Sequence, residues 1–237
     1  MTASRVEHRA EGVTLYLGDC REILPTLGNV DAVVTDPPYG LDYAYLSYDD
    51  SPENLAELVD SFLPLARAVA TRVIVFPGVH NLALYPKSTW TISWSWRNTS
   101  HFGMAGYNMW QPILLYGEDM KAFGNVNGLT KSDSIHFADS NGIGFLGECV
   151  KDHPCPKPEK VMRWILQRFT EPSAIVVDPF SGSGTTGVAA VKMGRKFIGI
   201  EIEPKYFDIA CRRISDALAR PDLFIEAPAK IKQEAFI

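Results

Sequence analysis

The sequence lacks the features that would assign it to several large classes of protein. It has no run of 18 apolar residues and a polar N-terminus, so we expect neither a membrane span nor a secretory signal. Its four cysteines form no CxxC pair, and its five histidines show no ligand spacing. We therefore predict no metal and no disulfide framework, and the expected compartment is the reducing cytoplasm.

The chain also has no excess of positive charge. Its formal net charge is −5, from 23 basic and 28 acidic residues. A uniformly basic surface for nucleic acid is therefore excluded, although a local basic cleft is compatible with this charge. With 237 residues, no internal repeat and no linker-like tract, the chain is expected to form a single domain, residues 1–237.

Two regions, residues 13–78 and 158–218, alternate predicted strands with predicted helices. The segments VDAVVTD and SAIVVDPF are apolar on both faces, which is typical of buried parallel strands. Prolines stand at the starts of the predicted helices, and Pro64 is expected to kink or split one of them. The alternation predicts an α/β fold with a doubly wound, mostly parallel sheet.

A glycine-rich turn, GSGTTG at residues 182–187, lies between a predicted strand and a predicted helix. Glycines let the backbone approach a ligand, and a helix N-terminus offers N–H groups to a carboxylate or phosphate. Glu201, at the tip of the next strand, is placed to accept two ribose hydroxyls. Alone, this pattern fits a dinucleotide site as well as an S-adenosylmethionine site, and a tight turn without a ligand is the third interpretation.

A second turn, Asp36-Pro37-Pro38-Tyr39-Gly40, also ends a predicted buried strand. The two prolines stiffen the turn and remove two N–H donors, which leaves the Asp36 carboxylate and nearby carbonyls as acceptors. Tyr39 adds an aromatic face beside them. Acceptors next to a flat ring suit an exocyclic amino group on a stacked base, at the strand end where doubly wound sheets bind ligands.

Together, DPPYG followed by DPFSGSGTT resembles the amino methyltransferases that act on DNA, and the order of the two motifs resembles their beta group. Asp19 in LYLGDC matches the acid that these enzymes direct at the adenine end of S-adenosylmethionine. The segment HPCPKP, residues 153–158, is similar to their HPxxKP segment, which contains Lys157 and lines the methionine end. Glu201 matches their ribose-binding acid.

The resemblance implies a Rossmann-like methyltransferase fold that binds S-adenosylmethionine and methylates double-stranded DNA on a base flipped out of the duplex. A homodimer is a possible assembly. The Asp-type turn resembles adenine-N6 enzymes, and cytosine-N4 methylation is the alternative. The implied catalytic residues are Asp36, Pro37, Pro38 and Tyr39. The implied cofactor-binding residues are Asp19, Asp36, Lys157, Asp178, Phe180, Ser181, Gly182, Ser183, Gly184, Thr185, Thr186 and Glu201.

The segment 85–147 differs in texture from its flanks, because it is rich in Asn, Gly and aromatic residues. It contains two predicted strands, WTISWSW and MWQPILLYG, and a predicted exposed loop, GNVNGLTKSDSIHF. We interpret it as an inserted segment that reads the DNA target, although tryptophans at strand spacing also favour packing on one sheet face. The candidate DNA contacts are Tyr43, Arg97, Asn98, His101, Asn108 and Lys131.

Two other functional classes remain open from the sequence. A nicotinamide-dinucleotide oxidoreductase would explain GSGTTG and Glu201 but leaves DPPYG without a role. A DNA-binding protein without catalysis is the second alternative, and the intact Asp36 argues against it. Cys155, between two prolines, is interpreted as a structural thiol rather than the nucleophile of a cytosine-C5 enzyme.

Overall fold

A computed structural model gives the fold and describes residues 3–10, 12–45, 47–96, 102–103, 106–107, 109–117, 132–136 and 156–220. The strands are β1 (Arg5–Ala10), β2 (Val13–Leu17), β3 (Ala32–Thr35), β4 (Val73–Val75), β5 (Trp90–Ser95), β6 (Phe102–Gly103), β7 (Gly106–Tyr107), β8 (Trp110–Tyr116), β9 (Ser134–His136), β10 (Ile175–Asp178) and β11 (Lys196–Glu201). The helices are α1 (Cys20–Ile23), α2 (Pro52–Val69), α3 (Glu159–Phe169), α4 (Thr185–Lys192) and α5 (Pro204–Ala219).

One sheet organises the described residues. Nine strands follow the order β1-β2-β11-β10-β3-β4-β8-β5-β9, and β6 and β7 form a separate hairpin. The five strands from β2 to β4 in this order are parallel, whereas β1 and β8 are antiparallel to their neighbours β2 and β4. The predicted mostly parallel sheet is confirmed.

Both faces of the sheet are covered by helices, as a doubly wound fold requires. Successive residues of a strand point to opposite faces, so Val34 joins the core under α3, α4 and α5 while Val33 joins the core under α1 and α2. Ile74 and Val75 divide between the two cores in the same way. This explains why the central strands carry apolar side chains on both faces.

The local sequence of helix α2 explains where the helix begins. The Ser51 hydroxyl accepts the backbone N–H of Asn54 at 3.3 Å, and Pro52 occupies the first helical position. The helix continues unbroken through Pro64, so the expectation that this proline splits it is wrong. Pro64 and Asp60 both lie on the exposed side, where water can hydrate the carbonyl that has lost its helical partner.

The segment 85–147 contributes part of the main sheet. Strands β5 and β8 form where the sequence predicts them, and β8 pairs directly with β4. Ser134–His136, predicted as exposed loop, instead form β9 beside β5. Ile135 is only 5% exposed, and burial of this side chain fixes the short edge strand. No helix among the described residues is long and apolar enough to cross a membrane.

Candidate active site

The turn after β3 carries the predicted catalytic residues, and the structure adds a lysine to them. Asp36 follows the buried Thr35 and precedes Pro37, which is buried, and Pro38. Its Oδ1 accepts the Tyr39 hydroxyl at 2.5 Å, and its Oδ2 accepts the Lys157 ammonium at 2.5 Å. Each oxygen of the carboxylate therefore accepts a hydrogen bond from a charged or hydroxyl donor.

Lys157 reaches this turn from just before α3. Its ammonium donates to the Tyr39 hydroxyl at 2.8 Å and lies 5.0 Å from the centroid of the Tyr39 ring. The side chain is only 8% exposed. The resemblance placed Lys157 at the cofactor, and the structure shows it paired with Asp36. Its contact with a cofactor stays a prediction.

Tyr39 is held at its hydroxyl and at its backbone. Gln111 Nε2 on β8 donates to the hydroxyl at 2.5 Å, and Asn81 Nδ2 donates to the Tyr39 carbonyl at 2.9 Å. The sequence analysis predicts a stacking role for Tyr39 but identifies neither partner. Gln111 could have been noticed in the sequence, because it is the one amide in a predicted strand whose other residues are apolar or aromatic.

Asp50 fixes the loop that follows the turn, and sequence reasoning missed this residue as well. Its carboxylate, only 2% exposed, accepts the backbone N–H groups of Gly40 at 2.7 Å, Leu41 at 3.1 Å and Tyr43 at 3.2 Å. Gly40 adopts a φ of +64°, which favours glycine. The loop backbone is thus anchored while the Leu41 and Tyr43 side chains are exposed.

The glycine turn is tied to the end of β11 through Glu201. Gly182 N donates to Glu201 Oε2 at 2.7 Å, and Glu203 N donates to Oε1 at 2.8 Å. Burial of this carboxyl group, which outweighs the backbone N–H donors of Glu203, Gly182 and Ile202, raises the pKa of Glu201 to about 7. The nearby Asp178 carboxylate adds to the increase.

Asp178 links the glycine turn to the catalytic turn. Its Oδ1 accepts the Thr35 hydroxyl at 2.7 Å and the Phe180 N–H at 3.1 Å, and Thr186 also forms a side-chain hydrogen bond with it. Complete burial raises the pKa of Asp178 to about 6, against the effect of these donors. Thr35 immediately precedes Asp36, so one carboxyl group holds both turns in register.

Other residues of the predicted cofactor turn pack against the protein itself. Arg213 Nη1 on α5 donates to the Ser183 hydroxyl and to the Thr185 hydroxyl, both at 3.1 Å. A Cβ at Gly184 would lie 2.9 Å from the Ala210 side chain. These three positions therefore bring α4 close to α5, and their contact with a cofactor stays a prediction.

The turn's first residues are fixed in a similar way. The Phe180 ring packs edge-on against Phe62 of α2, with centroids 4.9 Å apart. Ser181 N donates to the Ile200 carbonyl at 2.9 Å. The turn is thereby anchored to a helix on one side and to β11 on the other.

Asp19 lies at the end of β2, one strand from Glu201. Gly18 N donates to the Glu201 carbonyl at 2.8 Å, which keeps the two strand ends together. Partial burial favours a higher pKa for Asp19, but the side-chain and backbone hydrogen bonds from Arg21 outweigh it and lower the pKa. Asp19 is therefore an ionised acceptor beside the buried Glu201.

The predicted DNA contacts are described only in part. Tyr43 lies in the loop after the catalytic turn, where its ring contacts Tyr45 at a centroid distance of 4.7 Å. Arg97, Asn98, His101, Asn108 and Lys131 lie outside the described residues. Cys155 lies outside them as well. Among the described residues, no group of three or more His, Cys, Asp or Glu side chains could hold a metal ion.

Solved structures of DNA methyltransferases share this fold. PvuII DNA methyltransferase, described as cytosine-N4-specific, superposes with a TM-score of 0.66 at 19% identity, covering 87% of this chain and 91% of that one. The complex of M1.HpyAVI with S-adenosylmethionine superposes with a TM-score of 0.61 at 24% identity, covering 84% of this chain and 98% of that one. At these identities the similarity establishes the fold.

Sequence relatives and a family profile add the activity class. Type II methyltransferase M.HinfI from Haemophilus influenzae is 26% identical over 88% of this chain and 70% of its own length. DNA adenine methyltransferase YhdJ from Escherichia coli strain K12 is 43% identical over 75 residues, which are 32% of this chain and 26% of YhdJ. Residues 91–212, which include the glycine turn and Glu201 but not the Asp36 turn, match the N6_N4_Mtase profile of DNA methylases. This match spans about half of the chain, which therefore belongs to the N6_N4_Mtase family of DNA methylases.

Proposed function

We propose that this DNA methyltransferase transfers a methyl group from S-adenosylmethionine to the N6 amino group of adenine in double-stranded DNA, on a flipped base. The observation that carries the proposal is the Asp36 carboxylate, held beside the Tyr39 ring and joined through Thr35 and Asp178 to the glycine turn. Acceptor, stacking surface and cofactor turn thus meet at one edge of the sheet. Family membership removes the nicotinamide enzyme as an interpretation.

The residues at the ends of β2 and β11 fit S-adenosylmethionine. The Glu201 carboxylate accepts the backbone N–H groups of Gly182, Glu203 and Ile202, and a carboxylate has about four acceptor sites, so a ribose hydroxyl can still be held. The ionised Asp19 lies one strand away, where the family resemblance places the adenine end. When bound, the cofactor supplies an electrophilic methyl group and a neutral leaving group.

Asp36 overcomes the weak nucleophilicity of the base. The lone pair of an exocyclic amine is delocalised into the ring, and acceptors on its N–H groups draw the nitrogen toward a tetrahedral geometry. Both Asp36 oxygens retain a lone pair after bonding Tyr39 and Lys157, and the Pro37 carbonyl is adjacent. The carboxylate also stabilises the positive charge that develops on nitrogen and is placed to take its surplus proton.

Tyr39 offsets part of the cost of exposing the base. Flipping a base out of a duplex costs a few kcal/mol, and stacking on an aromatic ring contributes roughly 1–3 kcal/mol. The Asn81 amide, which donates to the Tyr39 carbonyl, holds this residue in place before the base arrives. A fixed ring loses little conformational freedom on binding, so more of the stacking energy is available for flipping.

Support for adenine comes from the Asp-type turn and from the similarity to a DNA adenine methyltransferase over 75 residues. Cytosine N4 is the second candidate, since the PvuII enzyme, whose structure superposes on this chain, is described as cytosine-N4-specific. Both amines pose the same chemical problem to Asp36. The choice therefore depends on the shape of the base pocket.

The proposal is tested by methylating DNA with labelled S-adenosylmethionine and digesting the DNA to nucleosides. We expect N6-methyldeoxyadenosine from the wild type. Asp36→Ala should abolish transfer while its affinity for the cofactor stays within about tenfold, because Asp36 acts on the amine. Asp60→Ala, which removes an exposed carboxylate on α2, is the matched control and should stay active.

Each contrary result has a distinct meaning. N4-methylcytosine alone would replace adenine by cytosine as the substrate. An inactive wild type that still binds DNA would favour the DNA-binding protein without catalysis. Substantial activity in Asp36→Ala would remove Asp36 from the mechanism.

A further inference from the structure

Gln111 is an amide at the site edge of the sheet. Strand β8 runs antiparallel to β4 with Leu114 opposite Val75, so the start of β8 extends past the end of β4 toward the catalytic turn. Along β8, Gln111 shares its face with Ile113 and Leu115, which join the core under α3. Gln111 is therefore the polar residue that follows two core residues on the same face of β8, at the end of the strand nearest the catalytic turn.

Gln111 and Lys157 together limit where the Tyr39 hydroxyl can point its proton. The hydroxyl oxygen accepts N–H donors from Gln111 at 2.5 Å and from Lys157 at 2.8 Å. A phenol has one proton, and an ammonium or amide N–H group cannot accept it. The proton is therefore directed to Asp36 Oδ1, at 2.5 Å.

We propose that Gln111 is a positioning residue for methyl transfer, acting through the Tyr39 hydroxyl on the Asp36 carboxylate. This inference rests on the proposed function. Without the Gln111 donor, the Tyr39 ring loses a lateral anchor and the hydroxyl can turn away from Asp36. The carboxylate then keeps Lys157 at Oδ2 but loses its fixed donor at Oδ1, so its plane is free to rotate about the side-chain bond.

A double-mutant cycle tests this pathway. Gln111→Met keeps the length of the side chain and removes the donor, and Tyr39→Phe removes the hydroxyl. We expect Gln111→Met to slow single-turnover methyl transfer about tenfold, the effect of one lost hydrogen bond. The KM for DNA and the affinity for S-adenosylmethionine should change less than about twofold, because Gln111 acts on the reacting geometry.

The double variant shows whether Gln111 acts through the Tyr39 hydroxyl. In a Tyr39→Phe background, Gln111→Met should cause no further loss, because its hydrogen-bond partner is already absent. Thr91→Val, on the neighbouring strand β5, removes a hydroxyl hydrogen-bonded to Ser88 and is the matched control with wild-type turnover. Gln111→Asn is a second variant, whose shorter side chain should cause the same loss.

Several outcomes would overturn the inference. The first is a rate of methyl transfer in the double variant that falls by the product of the two single losses. The second is an unchanged rate in both Gln111→Met and Gln111→Asn. The third is a lower melting temperature of the Gln111 variants together with weaker binding of S-adenosylmethionine. Failure of the proposed function would appear separately, as inactivity or a different product of the wild-type enzyme. If the wild type methylates cytosine, the same cycle is measured on that substrate.

Discussion

Glu201 and Asp178 carry buried carboxyl groups, and burial raises the pKa of each. Glu201 is only 8% exposed and accepts hydrogen bonds from three backbone N–H groups, but these do not offset the loss of hydration. Its pKa of about 7 leaves it partly protonated near neutral pH. A ligand that prefers the ionised carboxylate therefore binds with release of a proton.

This ionisation predicts a pH dependence of cofactor affinity. Above its pKa of about 7, Glu201 offers ribose hydroxyls a charged acceptor, which forms the stronger hydrogen bonds. Below that pKa the protonated group is a weaker acceptor. We therefore expect the dissociation constant of S-adenosylmethionine to rise roughly tenfold between about pH 8 and about pH 6, measured by calorimetry.

Glu201→Gln is the control for this measurement. The amide keeps the shape of the side chain and does not titrate in this range. Its affinity should be lower than that of the wild type at high pH and nearly constant with pH. An equal slope in both proteins would assign the pH dependence to another group.

At the scale of elements, small residues allow α4 to approach its neighbours closely. A Cβ at Gly187 would lie 2.5 Å from Ile214 Cδ1 of α5 and 2.6 Å from the Phe197 ring of β11. Both neighbours are fully buried. The glycine pattern that suggests a ligand-binding turn thus also serves the packing of a helix between α5 and the sheet.

Gly187→Ala is expected to destabilise the protein. Alanine favours a helix by about 1 kcal/mol over glycine, but overpacking a buried contact costs about 1–3 kcal/mol. Because Ile214 and Phe197 are confined by the core, we expect the cost to exceed the gain and the melting temperature to fall by a few degrees. Gly28→Ala, where a Cβ meets nothing within 4 Å, is the matched control in thermal unfolding. An unchanged melting temperature in Gly187→Ala would show that the Ile214 and Phe197 side chains shift to make room for the added methyl group.

The sequence was sufficient to predict most of the elements near the site. Hydrophobic runs placed β3 and β10, and proline positions placed the starts of α2 and α5, because these signals are local. It failed for Ser134–His136, where three residues carry too little pattern to identify a strand. Their structure depends on pairing with β5, whose residues lie 41 positions earlier in the chain.

The site itself was predictable only at the level of its turns. Asp36, Tyr39 and Glu201 stand in recognisable motifs, whereas Asp50 and Gln111 have no motif around them. Their roles arise from tertiary contacts that no local pattern records. Gln111 belongs to the segment that the sequence analysis interprets as a reader of the DNA target, yet it contacts Tyr39.

At the scale of the whole molecule, the segment 85–147 is proposed to combine sheet building with target reading. Replacing Arg97, Asn98 and His101 together by Ala should weaken DNA binding and methylation, because such side chains contact phosphates and base edges. The affinity for S-adenosylmethionine should stay unchanged. Methylation assays on DNA, paired with calorimetry for the cofactor, measure the two effects separately.

Arg220→Ala is the control for the loss of positive charge, since Arg220 is exposed and caps the far end of α5. Its DNA binding should resemble that of the wild type. If the triple variant keeps both target preference and DNA affinity, recognition resides elsewhere, such as in the loop around Tyr43.

The strand order also has a consequence for the newly synthesised chain. β2 and β3 are made early, yet in the finished sheet β11 and β10 lie between them. β3 cannot pair with β10 until the ribosome has added residues up to Asp178, and β2 cannot pair with β11 until it has added residues up to Glu201. Pairing across such long sequence separations is slow, and unpaired strand edges attract other chains. A growing chain of this protein therefore carries unpaired strand edges until these later strands have been made, and such edges favour aggregation during synthesis.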